Sequence, residues 1–288
     1  MRQALSARDA VRAALGHSAP EAWSIEEISD GNMNAVFRVS VEGRSVIAKH
    51  APPFIRVIGE SWPFPAGRIE MENAALTHHN RLCPDYVPSI IDFDAGQALL
   101  VMEDLTGLVI GRRAFIDGMV LPQLADQLGE YLARSLFFTS DFALSTVEKK
   151  ALIGAFVANA ALCATTEEVI FSGPYWDAPL NKHNPLLDQL VTRIREDRAW
   201  HRAAAELNLI FRTQTQALIH GDLHTGSIMV SPQSTKVIDA EWAFHGPMGF
   251  DIGAIIGNML IAFASQPGHA LQQQDDPALT LVRQPCRE

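Results

Sequence analysis

The strongest constraint on this chain is a change of hydrophobic period near residue 105. Before it, apolar residues alternate in short runs. Ala35–Val41 is rich in β-branched and aromatic residues, Glu42-Gly43-Arg44 is a turn, and Ser45–Lys49 is a second run. That is a hairpin signal. Residues 69–82 are rich in helix formers, and Ile90–Phe93 and Ala98–Met102 read as two more strands. A short helix is expected over about 5–16. After about residue 120 the period changes. Leu121, Leu124, Leu128, Tyr131, Leu132 and Leu136 recur at three- and four-residue spacing, which predicts one face of a helix. Helices are expected near 147–163, 185–207 and 251–264, with prolines at 174, 179 and 185 between the first two. A β interlude covers 217–219, 228–230 and 236–238. The expectation is an α+β fold of two lobes: a small β-rich lobe over 1–105 and a larger helical lobe over 106–288. The absence of βαβαβ alternation and of Gly-x-Gly-x-x-Gly excludes a dinucleotide-binding fold.

Composition narrows the function. The 288 residues are 48% hydrophobic and 19% charged, which excludes global disorder. The formal charge of −10 lacks the broad positive field of a non-specific nucleic-acid binder. It leaves room for an anionic ligand, which needs only local cations and backbone N–H groups. Cys83, Cys163 and Cys286 are far apart and form no Cys-x-x-Cys pair, so a reducing compartment is expected. The N-terminus has no apolar run of signal-peptide type. The apolar stretches 151–164 and 252–264 fall short of the ~20 residues of a membrane helix.

The chemistry concentrates in His220–Asp251. Read as a simple hairpin with Val230 facing Lys236, strands 228–230 and 236–238 place Ser227 opposite Asp239. Three carboxylates, Asp222, Asp239 and Glu241, then lie on neighbouring loops at strand ends. Gathered carboxylates repel unless a cation or proton compensates. A hard oxygen-liganded ion such as Mg²⁺ fits. With Asp239 and Glu241 on the metal, Asp222 is free to act on a hydroxyl, the division of labour of phosphoryl transfer. His220 and His224 have the spacing of a helical zinc motif, but Gly221 and Gly226 interrupt any helix, so these histidines read as braces of the loop. Lys49 ends the second strand, and a helix with Glu70 and Glu72 follows. Those two lie about 200° apart on a helix, so only one can face Lys49.

Several motifs together resemble the 5-methylthioribose kinases, of the aminoglycoside and choline phosphotransferase branch of the protein-kinase-like fold. They are His220-Gly221-Asp222-Leu223-His224-Thr225-Gly226-Ser227, Asp239-Ala240-Glu241-Trp242-Ala243-Phe244, and Gly246–Gly253. Shorter matches are Asp30–Asn34, Gly59-Glu60-Ser61-Trp62-Pro63 and Met102-Glu103-Asp104-Leu105. The resemblance covers about 28–265. It implies ATP-dependent phosphorylation of the anomeric hydroxyl of 5-methylthio-D-ribose, a step of methionine salvage, with ATP and Mg²⁺. It implies that Asn34 lies in the turn over the nucleotide, and that Lys49 reaches the phosphates with Glu70 as its helix partner. Glu103, Asp104 and Leu105 would form the adenine-binding hinge. Asp222 would be the catalytic base and contact the sugar. Asp239, Ala240 and Glu241 would lie at the phosphates, with Asp239 and Glu241 on the metal. Trp62 would lie near the sugar. Ser227 stands where many kinases of this type carry a metal-binding Asn, and Glu241 would supply that ligand.

A cytoplasmic homodimer is implied, with no nucleic-acid or membrane partner. Family members continue with a helical segment beyond the position of Phe263, carrying an arginine pair on the sugar. Arg283 and Arg287 stand in no matching motif, so the chain reads as C-terminally shortened. A related kinase for an aminoglycoside, choline or homoserine, and a nucleotide-binding form with little activity, stay open as alternatives.

Overall fold

A computed structural model describes residues 1–28, 33–56, 59–61, 63–179 and 181–273. The sequence motif at Asp30-Gly31-Asn32, Trp62, Cys286 and the tail arginines Arg283 and Arg287 lie outside the described residues.

The N-terminal lobe is built on a five-stranded antiparallel sheet. Its strands are β1 (Ser24–Glu27), β2 (Ala35–Val41), β3 (Arg44–His50), β4 (Ile90–Asp94) and β5 (Leu99–Glu103), in the order β1-β2-β3-β5-β4. Period-2 alternation divides the sheet into two faces. Val39, Val41, Val46, Ala48, Leu99 and Val101 form one buried cluster with Leu5, Val11, Leu15 and Trp23. Leu5 lies on α1 (Arg2–Ser6) and Val11 on α2 (Asp9–Ala14). The helix expected over 5–16 is thus two pieces, because Arg8 between them is extended. Arg8 donates to Asp92 at 2.7 Å and to Asp94, which ties these helices to the edge strand β4.

The opposite face carries Ile47, Lys49, Leu100 and Met102. It packs on α3 (Arg68–Leu82) through Ile69, Met71, Ala75 and Leu76. Lys49 pairs across the ladder with Val36 on one side and Leu100 on the other. The sheet therefore points one lysine at the lobe boundary.

The second lobe begins after β5 with β6 (Val109–Ile110) and α4 (Gly111–Ile116), then α5 (Leu124–Phe138). On α5, Leu128, Tyr131 and Leu136 are buried and Leu124 and Leu132 pack beside them, the face expected from their spacing. Next come α6 (Thr146–Phe156) and α7 (Ala160–Thr166). A 3₁₀ turn separates them, and a π-helical stretch, Glu167–Ser172, follows. The expected helix over 185–207 is α8 (Asp188–Glu196) and α9 (Arg198–Thr213), divided where Asp197 caps α9. Strands β7 (Ala217–Ile219), β8 (Ile228–Val230), β9 (Thr235–Val237) and β10 (Phe244–Gly246) carry the loops of the site.

The β8–β9 register corrects the expected one by one residue. Met229, not Val230, faces Lys236, and the backbone of Ser227 meets Ile238 rather than Asp239. The cause is the turn. Ser231 Oγ accepts the N–H groups of Gln233 and Ser234, closing a tight loop that needs one residue fewer.

The last helix, α10 (Met248–Gln273), starts earlier and runs further than expected. The helical runs Thr146–Tyr175 and Met248–His269 both have the length and apolarity to cross a membrane, contrary to the sequence estimate. The first is broken by the 3₁₀ and π-helical turns. The second buries Asp251 and Ile255 in the core but exposes Leu260, Ile261 and Phe263.

One buried group makes stability depend on pH. His79 on α3 meets the Tyr131 hydroxyl across the lobe boundary at 3.3 Å, with the two rings edge to face. Its Nε2 has no hydrogen-bond partner among the described residues. Burial, with His220 and His78 nearby, lowers its pKa to about 3. Below the ordinary histidine value of about 6.5, the unfolded chain takes a proton that the folded chain refuses. Folding stability should therefore fall as pH drops from about 6.5 towards 3, by up to about 1.4 kcal/mol per pH unit for this residue. Urea denaturation of wild type and His79→Gln should show a shallower pH slope in the variant, and equal slopes would refute the assignment.

Candidate active site

The site is assembled from the inner face of β3, the buried face of α3 and the loops after β7 and β9. Lys49 Nζ lies 2.6 Å from Glu72 of α3 and also binds Asp239. The expected partner, Glu70, is exposed and does not take this place. The reason is helical phase. Ile69, Glu72, Leu76 and His79 form the buried stripe of α3, and Glu70 points away from it. The 3- and 4-residue spacing of that stripe was a signal in the sequence for choosing Glu72.

Glu241 lies two residues beyond Asp239 and is 1% exposed. It accepts a hydrogen bond from Asn34 Nδ2 at 2.6 Å, and Arg68 Nε lies 3.5 Å from the same oxygen. Carboxylate oxygens of Glu72, Asp239 and Glu241 all lie within 4.8 Å of one another. Burial opposes the Lys49 charge, but the three carboxylates outweigh it and raise its pKa. Burial also pushes at Asp239, whose pKa is nevertheless lowered by the Lys49 ammonium and its hydrogen bond. Glu72 and Glu241 are pushed above the usual carboxylate range, first by burial and then by their acidic neighbours. Three carboxylates thus face two cations, Lys49 and Arg68. The cluster consists of hard oxygen donors with excess negative charge, and these residues fit a divalent cation such as Mg²⁺. Glu72 belongs to this acidic group and was not anticipated there.

Asp239 itself has φ of 69°, the left-handed region, as residue before a 3₁₀ turn. Ala240 is fully buried in that turn. Asn159 holds the segment in place by donating to Glu241 O and Ala243 O, both at 2.9 Å.

Asp222 occupies the loop between β7 and β8. That loop is built almost wholly from hydrogen bonds to its backbone. Asp251, at the start of α10, accepts His220 N–H at 2.6 Å and Gly221 N–H at 3.0 Å. His220 Nδ1 accepts Asp222 N–H at 3.2 Å, and its Nε2 donates to Ile238 O at 2.8 Å. His220 therefore joins the Asp222 loop to the strand that leads into Asp239. Gly221 has φ of 82°, and a Cβ there would lie 2.2 Å from Trp242 O, so only glycine fits. Ser227 Oγ accepts His224 N–H at 2.8 Å and lies 2.9 Å from the carbonyls of Asp222 and His224. Its hydroxyl closes the loop. His224 Nδ1 accepts Gly226 N–H at 2.8 Å, which leaves Nε2 facing Asp222 at 3.5 Å. Both histidines brace the loop, as their sequence context suggested. The Asp222 side chain is 47% exposed.

The segment after β5 is fixed from the sheet. Asp104 is held by Arg38 of β2 through two contacts, 2.8 and 3.3 Å. Glu103 accepts Ser89 N–H, and Leu105 is buried. Asp251, Asn159, Arg68 and Arg38 were not singled out by sequence reasoning. Only Asp251 carried a signal, as part of the glycine-rich run Gly246–Gly253.

A lysine–glutamate pair under an antiparallel sheet, facing an Asp-x-Glu segment and an adjoining aspartate loop, defines a kinase-type phosphotransferase scaffold. Residues 24–283 match the model of the phosphotransferase enzyme family, and the chain belongs to that family. It is 44% identical over 276 residues to methylthioribose kinase 1 of Oryza sativa subsp. japonica, covering 95% of this chain and 64% of that protein. It is 44% identical over 247 residues to the methylthioribose kinase of Yersinia pseudotuberculosis serotype O:1b (strain IP 31758), covering 85% of this chain and 60% of that one. The chain thus spans 60 to 64% of the length of these relatives. A solved choline/ethanolamine kinase family protein from Mesorhizobium loti aligns with TM-score 0.49 at 14% identity, covering 88% of this chain and 68% of that one.

The choice of Glu72 over Glu70 has a measurable consequence. Glu72→Gln leaves Lys49 buried with one fewer counter-charge and should lower unfolding free energy by about 3 kcal/mol. Glu70→Gln should change it by less than about 0.5 kcal/mol. Chemical denaturation of the two variants decides, and a larger loss for Glu70→Gln would reverse the pairing.

Proposed function

We propose that this chain carries the catalytic apparatus of an ATP-dependent kinase. Its reaction would transfer the γ-phosphoryl group to the anomeric hydroxyl of 5-methylthio-D-ribose, giving 5-methylthioribose 1-phosphate and ADP. The observation that carries the reading is the convergence of Lys49, Glu72, Asp239 and Glu241 at the lobe boundary, beside a separately braced Asp222. The relatives' names supply the sugar, and the charge cluster supplies the chemistry.

In this reading Lys49, held by Glu72, binds the nucleotide phosphates as a fixed cation. Asn34 lies over the nucleotide, and the segment Glu103-Asp104-Leu105 receives adenine. Asp239 and Glu241 hold Mg²⁺, and Ala240 sets their spacing. Mg²⁺ bound there neutralises charge on the phosphate oxygens. Asp222 accepts the proton of the sugar hydroxyl as its oxygen bonds to the γ-phosphorus and the bond to the β-phosphate bridging oxygen breaks. Its half-exposed carboxylate on a rigid loop suits a base that must meet substrate and release a proton. The loop with Trp62 would lie near the sugar. A homodimeric state and a cytoplasmic location belong to the same reading.

An ADP-release assay with ATP, Mg²⁺ and 5-methylthioribose tests it. Wild type should turn over, and Asp222→Asn should lose at least about 100-fold in kcat while still being stabilised by ATP. Turnover with choline, homoserine or an aminoglycoside but not with methylthioribose would move the substrate. Undiminished turnover in Asp222→Asn would refute the base.

A further inference from the structure

Arg68 is a fully buried charged side chain, with side-chain exposure of 0%. It is the first residue of α3, where a cation is unfavourable to the helix dipole. Its contacts account for its position. Nη1 donates to Pro52 O at 2.9 Å and to Pro65 O at 2.8 Å. Nη2 donates to Met33 O at 3.0 Å, and Nε donates to Asn34 Oδ1 at 3.0 Å. The guanidinium also lies over the Phe64 ring, 5.6 Å from its centroid. One side chain therefore gathers both ends of the loop between β3 and α3 and the turn before β2.

The bond to Asn34 sets an orientation. An arginine Nε can only donate, so the atom of Asn34 facing it must be the carbonyl oxygen. The amide nitrogen then points the other way, at Glu241 Oε2, 2.6 Å distant. Reversing the amide would set two donors against each other at Arg68 and two acceptors against each other at Glu241. Arg68 thus dictates which Asn34 atom meets Glu241. Asn34 in turn donates to Oε2 of the carboxylate, the oxygen that Arg68 Nε approaches only to 3.5 Å, so the shorter bond from the amide orients the carboxylate.

We propose that Arg68 is a positioning residue that presents Glu241 for divalent-cation binding, acting through the Asn34 amide. The inference rests on the reading above, in which Glu241 is a metal ligand. It adds that cation affinity is set from the N-terminal lobe, by a residue that touches neither metal nor substrate. A purely structural arginine would stabilise the fold without linking its effect to that of Asn34.

The test measures the ATP-dependent rise in melting temperature of the purified chain as Mg²⁺ is titrated. Arg68→Met and Asn34→Leu should each raise the Mg²⁺ concentration giving half of that rise by about tenfold. The double variant should do no more than the larger single change, because both break one relay. Arg68→Lys should fall near Arg68→Met, since an ammonium lacks the guanidinium's fixed fork. A folded Arg68→Met with a half-point within twofold of wild type would overturn the proposal. So would single effects that multiply in the double variant. Where Arg68→Met does not fold, Asn34→Leu decides alone, and an unchanged half-point overturns the relay. A wild-type chain on which Mg²⁺ adds nothing overturns the phosphotransfer reading along with it. A Mg²⁺ response that is normal in all variants sinks the relay only.

Discussion

Five ionisable side chains lie together where the two lobes meet: Lys49, Arg68, Glu72, Asp239 and Glu241. Taking such groups from water costs several kcal/mol per ion, and each is tolerable only while its partners are present. Those partners come from three separate parts of the chain. Lys49 is on β3, Arg68 and Glu72 are on α3, and Asp239 and Glu241 follow β9. Moving any of these segments strands a buried charge. The cluster therefore acts on the fold as a registration device, fixing the sheet, the helix and the second lobe relative to one another. Burial first, and then the acidic neighbours, raise the pKa of Glu72 and Glu241, and the excess of three anions over two cations makes a further cation favourable there.

The parts of the molecule legible in the sequence are those governed by periodicity. The β2–β3 hairpin and the α5 face follow from spacing two and from spacing three and four, and both are set by burial on one side. The misread parts are those governed by individual hydrogen bonds. The β8–β9 register slipped because Ser231 Oγ closes its turn, and hydropathy is silent about a hydroxyl. The helix over 5–16 divides at Arg8, which has work to do on Asp92 and Asp94.

The charged site shows the same boundary. Asp222, Asp239 and Glu241 were visible because three carboxylates close in sequence demand a counter-charge. Glu72 was hidden by its similarity to Glu70, although it falls on the apolar stripe of α3 and Glu70 does not. Arg68 was invisible for a deeper reason. Four of its acceptors are a side-chain amide and three backbone carbonyls, and nothing in a sequence marks which carbonyls will be left without partners.

The two halves of the site are held by different physics. Asp222 is placed by backbone geometry: a glycine with positive φ, a carboxylate on two N–H groups, and a serine that closes the loop. None of those contacts carries a net charge to Asp222 itself. The cluster around Lys49 is placed by ions and by one amide that links them. A dication placed within the second set acts strongly on it and weakly on the first, while burial shields most of its ions from salt. The arrangement keeps Asp222 on a rigid loop beside a cluster whose charges respond to any cation placed among them. Asp222, Asp239 and Glu241 all belong to the second lobe, and Lys49, Arg68 and Glu72 meet them from the first.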